Sequence, residues 1–265
     1  MSGNSPGGKV VIVGLGVIVP DHVTLQAQRA LSACTKIFSI VQEPTLLWLP
    51  AAAHANISVV NLLRLYKENV PRGDNYETAA QMILRACSSG ASIGYATYGN
   101  PMCYDSVSQE LVQHAPGLGI KLEVIPGISS LDTILCDLRV DMAPAFQIYE
   151  ASWMLVSEIR PVLTAAVLLL QMGTFGSFRT HYSERRDGSS LAQLVAYLTM
   201  FYPPSHKVTL VRSTGDISMP ARTREFSIQD LILSTSEDLS GASLVIPALY
   251  APQTRVDLAA RMLAV

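Results

Sequence analysis

KVVIVGLG, residues 9–16, decides how the rest of the chain is read. Its apolar residues run consecutively instead of alternating, which predicts a strand buried on both faces, as in a parallel sheet covered by helices. The strand ends in Gly14-Leu15-Gly16. Lacking side chains, Gly14 and Gly16 let a ligand approach the backbone closely, so both are candidate cofactor contacts, with a simple tight turn as the alternative. The complete G-x-G-x-x-G fingerprint is missing, because Val19 stands at the third glycine position. No acidic residue closes a second strand at the distance a dinucleotide site needs.

Outward from this strand, short β-rich runs alternate with helical stretches. TLQAQRALSAC (24–34) has helical periodicity, IFSIV (37–41) and ISVVNLL (57–63) predict strands, and YETAAQMILRACSSG (76–90) predicts a helix stopped at Gly90. A strand at 92–99, a helix at 105–115, a strand at 121–127 and a serine-capped helix at 129–138 follow. The second half repeats the rhythm, with strands at 146–151, 165–172, 207–213 and 243–249 and helices at 189–201, 228–234 and 255–264. Such alternation predicts an α/β fold with parallel or mixed sheets. The boundary is expected near PGISS, giving an N-terminal α/β domain over 1–125 and a C-terminal one over 126–265. The polar stretches 174–190 and 212–226 read as long connections bordering a ligand site.

Composition removes several function classes. Apolar residues make up 49% and charged residues 15%, with a net charge of −2, so neither a disordered chain nor a nucleic-acid partner is expected. The apolar stretch AAVLLLQM, broken by Gln171, falls far short of the ~20 residues a bilayer needs, so no membrane partner is expected. MSGNSPGGK lacks the apolar centre of a signal peptide and reads as a short disordered leader, which predicts a soluble cytoplasmic protein. Cys34, Cys87, Cys103 and Cys136 are scattered, as are His22, His54, His114, His181 and His206, so neither disulfide nor metal is expected.

Four further stretches carry candidate chemistry. LYKENVPRGDNYETA (65–79) sets Tyr66, Arg72 and Tyr76 around a Pro-Gly turn, either as a site or as a solvated helix start capped by Asp74 or Asn75. YATYGNPMCYDS (95–106), VIPGISSLDTI (124–134) and LLLQMGT (168–174) each end a strand in a glycine-bearing turn. Together with GLG they favour one shared ligand at the carboxyl ends of strands.

In this order VVIVGLG, YGNP, PGISS and a late buried strand resemble the tetrapyrrole methylase superfamily over nearly the whole chain. YGNPMCY, VIPGISSLDTILCDL, YEAS (149–152) and the Tyr-Arg-Tyr spacing are similar to the borosin peptide backbone α-N-methyltransferases within it. The resemblance implies two α/β domains of tetrapyrrole methylase type, with a cleft for S-adenosylmethionine between them and S-adenosylhomocysteine as product. It implies methylation of backbone amides in a ribosomally made precursor peptide, with a corrin or porphyrin ring methyltransferase as the alternative. Arg72 and Tyr76 match the catalytic pair, and Tyr66 and Tyr98 match tyrosines lining the peptide channel. Tyr98, Asn100, Met102, Cys103 and Tyr104 match the cofactor turn, and Ser129, Ser130, Gln171, Ser213, Ser243 and Leu244 the rest of its wall. GLGVIVPD departs from the ring methylases' glycine-proline-glycine-aspartate turn, Leu63 replaces a tyrosine of some borosins, and Asn100 replaces a histidine. DLAARMLAV ends the sequence directly after its last helix. A separate precursor peptide, bound in trans by a homodimer or as a heterotetramer, is therefore expected.

The chemistry suits these residues. An amide nitrogen is a poor nucleophile because its lone pair is delocalised into the carbonyl. Methylation needs its proton removed, or its bond twisted, while charge gathers on the oxygen. Arg72 and Tyr76 are four residues apart and share a face if the helix starts early. A phenol whose pKa the guanidinium lowers could act as base, and Tyr66 could donate to the developing oxyanion.

Overall fold

The computed structural model describes residues 8–41, 57–87, 90–181, 189–216, 218–253 and 255–263. Residues 1–7 of the expected leader MSGNSPGGK, His54 and the later part of the 174–190 connection lie outside them, and Lys9 at the leader's end already belongs to a strand. The chain divides into two compact units, the first built from Met1–Leu138, Phe178–Ser183 and Ser213–Pro220, the second from Arg139–Ser177, Glu184–Arg212 and Ala221–Val265.

The first unit runs β1 (Lys9–Gly14), α1 (Leu25–Ser32), β2 (Lys36–Ser39), β3 (Ser58–Asn61), α2 (Arg72–Cys87), β4 (Ser92–Thr97), α3 (Ser106–His114), β5 (Lys121–Ile125) and α4 (Ser130–Leu138). Its five strands pair in parallel in the order β3-β2-β4-β1-β5. The consecutive apolar run of β1 has a two-sided cause. Val10 and Ile12 pack with Ile93, Tyr95 and the α2 and α3 residues Ala79, Ile83, Val107 and Leu111. Val11 and Val13 pack on the opposite face with Ala27 and Leu31 of α1. Each buried valine, leucine or isoleucine among them contributes about 1.5–3 kcal/mol relative to exposure. The helices start where side chains satisfy their first amides. Thr24 Oγ1 accepts from Ala27 N at 3.0 Å, and the Asp105 carboxylate accepts from Val107 N and Ser108 N at 3.0 and 3.2 Å. At α4 Ser129 Oγ accepts from Leu131 N at 3.1 Å while the Asp132 carboxylate accepts from Ser129 N at 2.7 Å, a reciprocal cap.

The second unit runs β6 (Phe146–Glu150), α5 (Ala151–Val156), β7 (Ala166–Leu170), α6 (Ser189–Leu198), β8 (Lys207–Arg212), β9 (Arg222–Ser227), α7 (Ser236–Leu239), β10 (Ser243–Ile246) and α8 (Val256–Leu263). Its sheet is mixed, in the order β6-β7-β10-β8-β9, with β6 and β7 parallel and the other pairs antiparallel.

Four expectations need correction. The helix expected from residue 76 starts at Arg72. The Glu150 carboxylate accepts from Trp153 N at 2.7 Å, so the strand at 146–150 passes straight into α5. The stretch 228–234 forms a 3-10 turn, Ile228–Leu233, not an α-helix. The connection expected over 212–226 contains edge strand β9, whose first four residues are all exposed and so carry no apolar alternation. Cys34 and Cys87 are buried free thiols, and Cys103 and Cys136 exposed ones. No helix among the described residues is long and apolar enough to cross a membrane.

Candidate active site

The carboxyl ends of β1, β4 and β5 lie side by side, with Gly14 opposite Thr97 and Val13 opposite Ile125. Their three turns touch backbone to backbone. A Cβ on Gly14 would sit 2.3 Å from Gly99 O and 2.6 Å from Gly127 N, and one on Gly127 would sit 2.3 Å from Gly99 O. The close approach that Gly14 allows is thus taken by the chain's own backbone. Gly16 bridges Gly99, with Gly99 N donating to Gly16 O at 2.9 Å. Its φ of +78° and the His22 side chain beside it leave no place for a Cβ. His22 Nδ1 accepts from Val17 N at 3.3 Å and Ile18 N at 3.2 Å, so this histidine shapes the turn after β1.

The turn after β4 presents Tyr98, Met102, Cys103 and Tyr104 as exposed side chains. Asn100 Oδ1 accepts from Met102 N at 2.9 Å, and Tyr104 holds a left-handed φ of 57°. A non-glycine residue there costs on the order of 1–3 kcal/mol and is common where function fixes the backbone. Ser129 is buried as the α4 cap and Ser130 is exposed. Ser213 Oγ donates to the Asp137 carboxylate at 2.6 Å. In the second unit, Gln171 follows β7 at a φ of 60° and Ser243 is buried at the start of β10. Leu244 is wholly buried in the core of that unit, which leaves only its main chain for any ligand.

Tyr66, Arg72 and Tyr76 come together. Arg72 opens α2 and Tyr76 lies one turn on, so the two share a face. The Tyr66 ring meets the Tyr76 ring edge-on, with centroids 5.9 Å apart. A cation in the first turn opposes the helix dipole, so Arg72 is not placed there for helix stability. Asn75 is buried and does not cap α2. Its Oδ1 accepts from Lys67 N at 2.9 Å, and its Nδ2 donates to Lys67 O at 2.9 Å and to Thr180 Oγ1 at 2.8 Å. Residues 178–180 run antiparallel to 69–72: Asn69 N donates to Thr180 O at 2.8 Å, Thr180 N to Val70 O at 2.9 Å, and Arg72 N to Phe178 O at 2.8 Å. The Arg72 Cζ lies 6.0 Å from the Phe178 ring centroid.

Burial raises the Tyr76 pKa above the ordinary phenol value, the Arg72 guanidinium pulls it down, and the Asp105 carboxylate pushes it up. The net direction is upward, opposite to the expected lowering, because lost hydration outweighs the single cation. Tyr76 therefore stays a neutral phenol at neutral pH. Behind it Tyr95, wholly buried, donates to both Asp105 oxygens at 3.2 and 3.1 Å, and its pKa is also raised by burial. Among the described residues, no group of three or more His, Cys, Asp or Glu could hold a metal ion.

Residues 9–221 match the model of the Tetrapyrrole (Corrin/Porphyrin) Methylases. The chain belongs to this family. Among curated relatives, the methyltransferase/ribosomally synthesized cyclic peptide gymnopeptides precursor of Gymnopus fusipes is 34% identical over 172 residues, 64% of this chain and 40% of that protein. The dendrothelin A precursor of Dendrothele bispora is 30% identical over 203 residues, covering 76% of this chain and 48% of its own. This tetrapyrrole methylase thus spans less than half the length of either relative. Among solved structures, the uroporphyrin-III-C-methyltransferase from Thermus thermophilus has a TM-score of 0.58 at 21% identity, covering 94% of this chain and 99% of that one. The methyltransferase CobJ has a TM-score of 0.63 at 15% identity, covering 93% and 97%. Both likenesses concern the fold.

In this tetrapyrrole methylase, sequence inspection misses His22, Asn75, Tyr95, Asp105, Phe178 and Thr180 as parts of the site. Asp105 alone carried a signal, since an acidic residue before a helical stretch is a cap. The raised tyrosine pKa values give a pH test. A folded value above the unfolded one, near 10, adds stability below about pH 10, and this is lost as pH rises through the folded value. Tyr202, buried in the second unit, is pushed up to about 12. Ultraviolet titration is expected to show late-ionising tyrosines, with unfolding setting in on the alkaline side. A single ionisation of all tyrosines near pH 10 (about the free phenol value) without loss of structure contradicts this.

Proposed function

We propose that the chain is an S-adenosylmethionine-dependent methyltransferase acting on backbone amides of a ribosomally made peptide, as in borosin biosynthesis. The observation that carries the proposal is the meeting of Arg72, Tyr76 and Tyr66 on one side of α2. The relatives named as methyltransferase/precursor proteins support the peptide as substrate. The exposed Tyr98, Met102, Cys103 and Tyr104 fit a flat purine and a soft sulfonium, and the exposed Ser130 offers a hydroxyl beside them in the neighbouring turn. Gln171, Ser213, Ser243 and the main chain of Leu244 belong to the same assignment. Bound there, S-adenosylmethionine supplies an electrophilic methyl group.

The chain's residues then handle the amide. As the nitrogen loses its proton and gains the methyl carbon, negative charge gathers on the carbonyl oxygen. Arg72 provides a fixed cation for that oxygen, and Tyr76, a neutral phenol, donates a hydrogen bond to it. Tyr66, against the Tyr76 ring, holds the peptide plane, and the amide proton passes to solvent water. The test supplies the purified chain and S-adenosylmethionine with the precursor peptide of a neighbouring reading frame, or with uroporphyrinogen III. Stepwise gain of one CH2 mass per event on backbone nitrogens supports the proposal. Methylation of the ring substrate alone overturns it in favour of ring chemistry, the activity named in the fold neighbours.

A further inference from the structure

We propose that residues 178–180 are a strap that positions the Arg72 and Tyr76 pair, with Phe178, Thr180 and Asn75 as positioning residues. The inference rests on the peptide-methylation proposal for these side chains. Its basis is the number of independent ties that converge on the first turn of α2. Phe178 uses its carbonyl on Arg72 N, at 2.8 Å, and its ring on the Arg72 guanidinium, at 6.0 Å. One residue thus fixes both ends of the arginine. The backbone bond orients the Cα, and the ring favours one plane for a guanidinium that otherwise samples many rotamers. Phe178 is 47% exposed, so its ring is not placed there for core burial. Arg179 adds a donor to Asn69 O at 2.6 Å.

Asn75 does the same for Tyr66. An asparagine offers one acceptor and two donors at short reach. Here the acceptor and one donor close on the Lys67 peptide, and Nδ2 also reaches Thr180 Oγ1. Lys67 follows Tyr66 directly, so the Tyr66 backbone is pinned to α2 at the level of Tyr76. Aspartate would lose both donations, and glutamine would overreach. An amide placed against Arg72, Tyr76 and Tyr66 is thereby met by groups already oriented, and orientation of that kind is worth large factors in rate.

The experiment uses the full chain, S-adenosylmethionine and the precursor peptide that it methylates. Phe178→Leu and Thr180→Val are compared with the conservative Phe178→Tyr and Thr180→Ser. The first pair is expected to lower kcat roughly ten- to hundredfold. Peptide KM, donor affinity by calorimetry and thermal midpoint should stay near those of the parent, and the conservative pair should restore most of kcat. Unchanged kcat in the first pair overturns the inference. So does a parallel fall of donor affinity and midpoint, which marks a merely structural segment. Amide hydrogen exchange at Lys67, Asn69 and Arg72 separates the two proposals. If the parent chain methylates no peptide, the functional proposal fails, and the strap is then judged on exchange alone. Faster exchange in Thr180→Val supports it, and unchanged exchange overturns it.

Discussion

Gly14→Ala is expected to cost the chain more than about 3 kcal/mol, or to prevent folding altogether. The new methyl carbon would meet Gly99 O at 2.3 Å, Gly127 N at 2.6 Å and Pro101 Cδ at 2.8 Å. Two of the three are backbone atoms, held by the β1 pairings to β4 and β5, so no side chain can rotate away. Relief would require separating β1 from both β4 and β5 at their carboxyl ends. Gly117→Ala is the control, because nothing lies within 4 Å of its added carbon. It is expected to leave stability unchanged or raise it by about 0.4–1 kcal/mol through the unfolded chain. Denaturant midpoints of the two variants measure the difference. Similar midpoints would show that the three turns are not in contact.

Tyr76→Phe is expected to lower the rate of peptide methylation by about 10²–10³, the usual range for losing one donor to a developing oxyanion. The ring and its contact with Tyr66 remain, so the fold should not change. Arg72→Lys keeps the charge but loses the planar fork and its stacking on Phe178, and a fall in rate of at least about tenfold is expected. Arg72→Gln separates chemistry from stability. Removing a cation from the first turn of α2 should raise helix stability by about 0.3–1 kcal/mol while activity is lost. Single-turnover rates and denaturant midpoints on the same preparations give both quantities. A Tyr76→Phe enzyme with the parent rate would remove the phenol from the mechanism.

Much of the fold was legible because its causes are local. The two-sided burial of Val10 to Val13 produces the unbroken apolar run that marks a parallel strand. Ser129 and Asp132 announce α4 within four residues of sequence. What escaped depends on tertiary placement. β9 is an edge strand with an exposed, charged beginning, so no period of two appears in RTREFS. α2 starts at Arg72 because the Phe178 carbonyl satisfies Arg72 N, and no residue near position 72 encodes that partner. The candidate site divides along the same line. Tyr66, Arg72 and Tyr76 were visible as a polar interruption, whereas Asn75, Thr180 and Phe178 became visible only when distant segments met. The expected pKa lowering of Tyr76 failed for a related reason. Spacing discloses the arginine four residues away, but not the burial that outweighs it.

The tie between Asn75 and Thr180 spans 105 residues of chain. Closing a loop of that length is slow compared with forming a helix or pairing nearby strands. The first unit can assemble its parallel sheet from the opening part of the chain as that part leaves the ribosome. The segment that pairs with the start of α2 must wait until β6, α5 and β7 have also been synthesised. A fragment ending at Leu138 would therefore carry Tyr66, Arg72 and Tyr76 and still lack residues 178–180, which pair with 69–72. The strap would close only after the chain beyond β7 has been made, well after the strands of the first sheet.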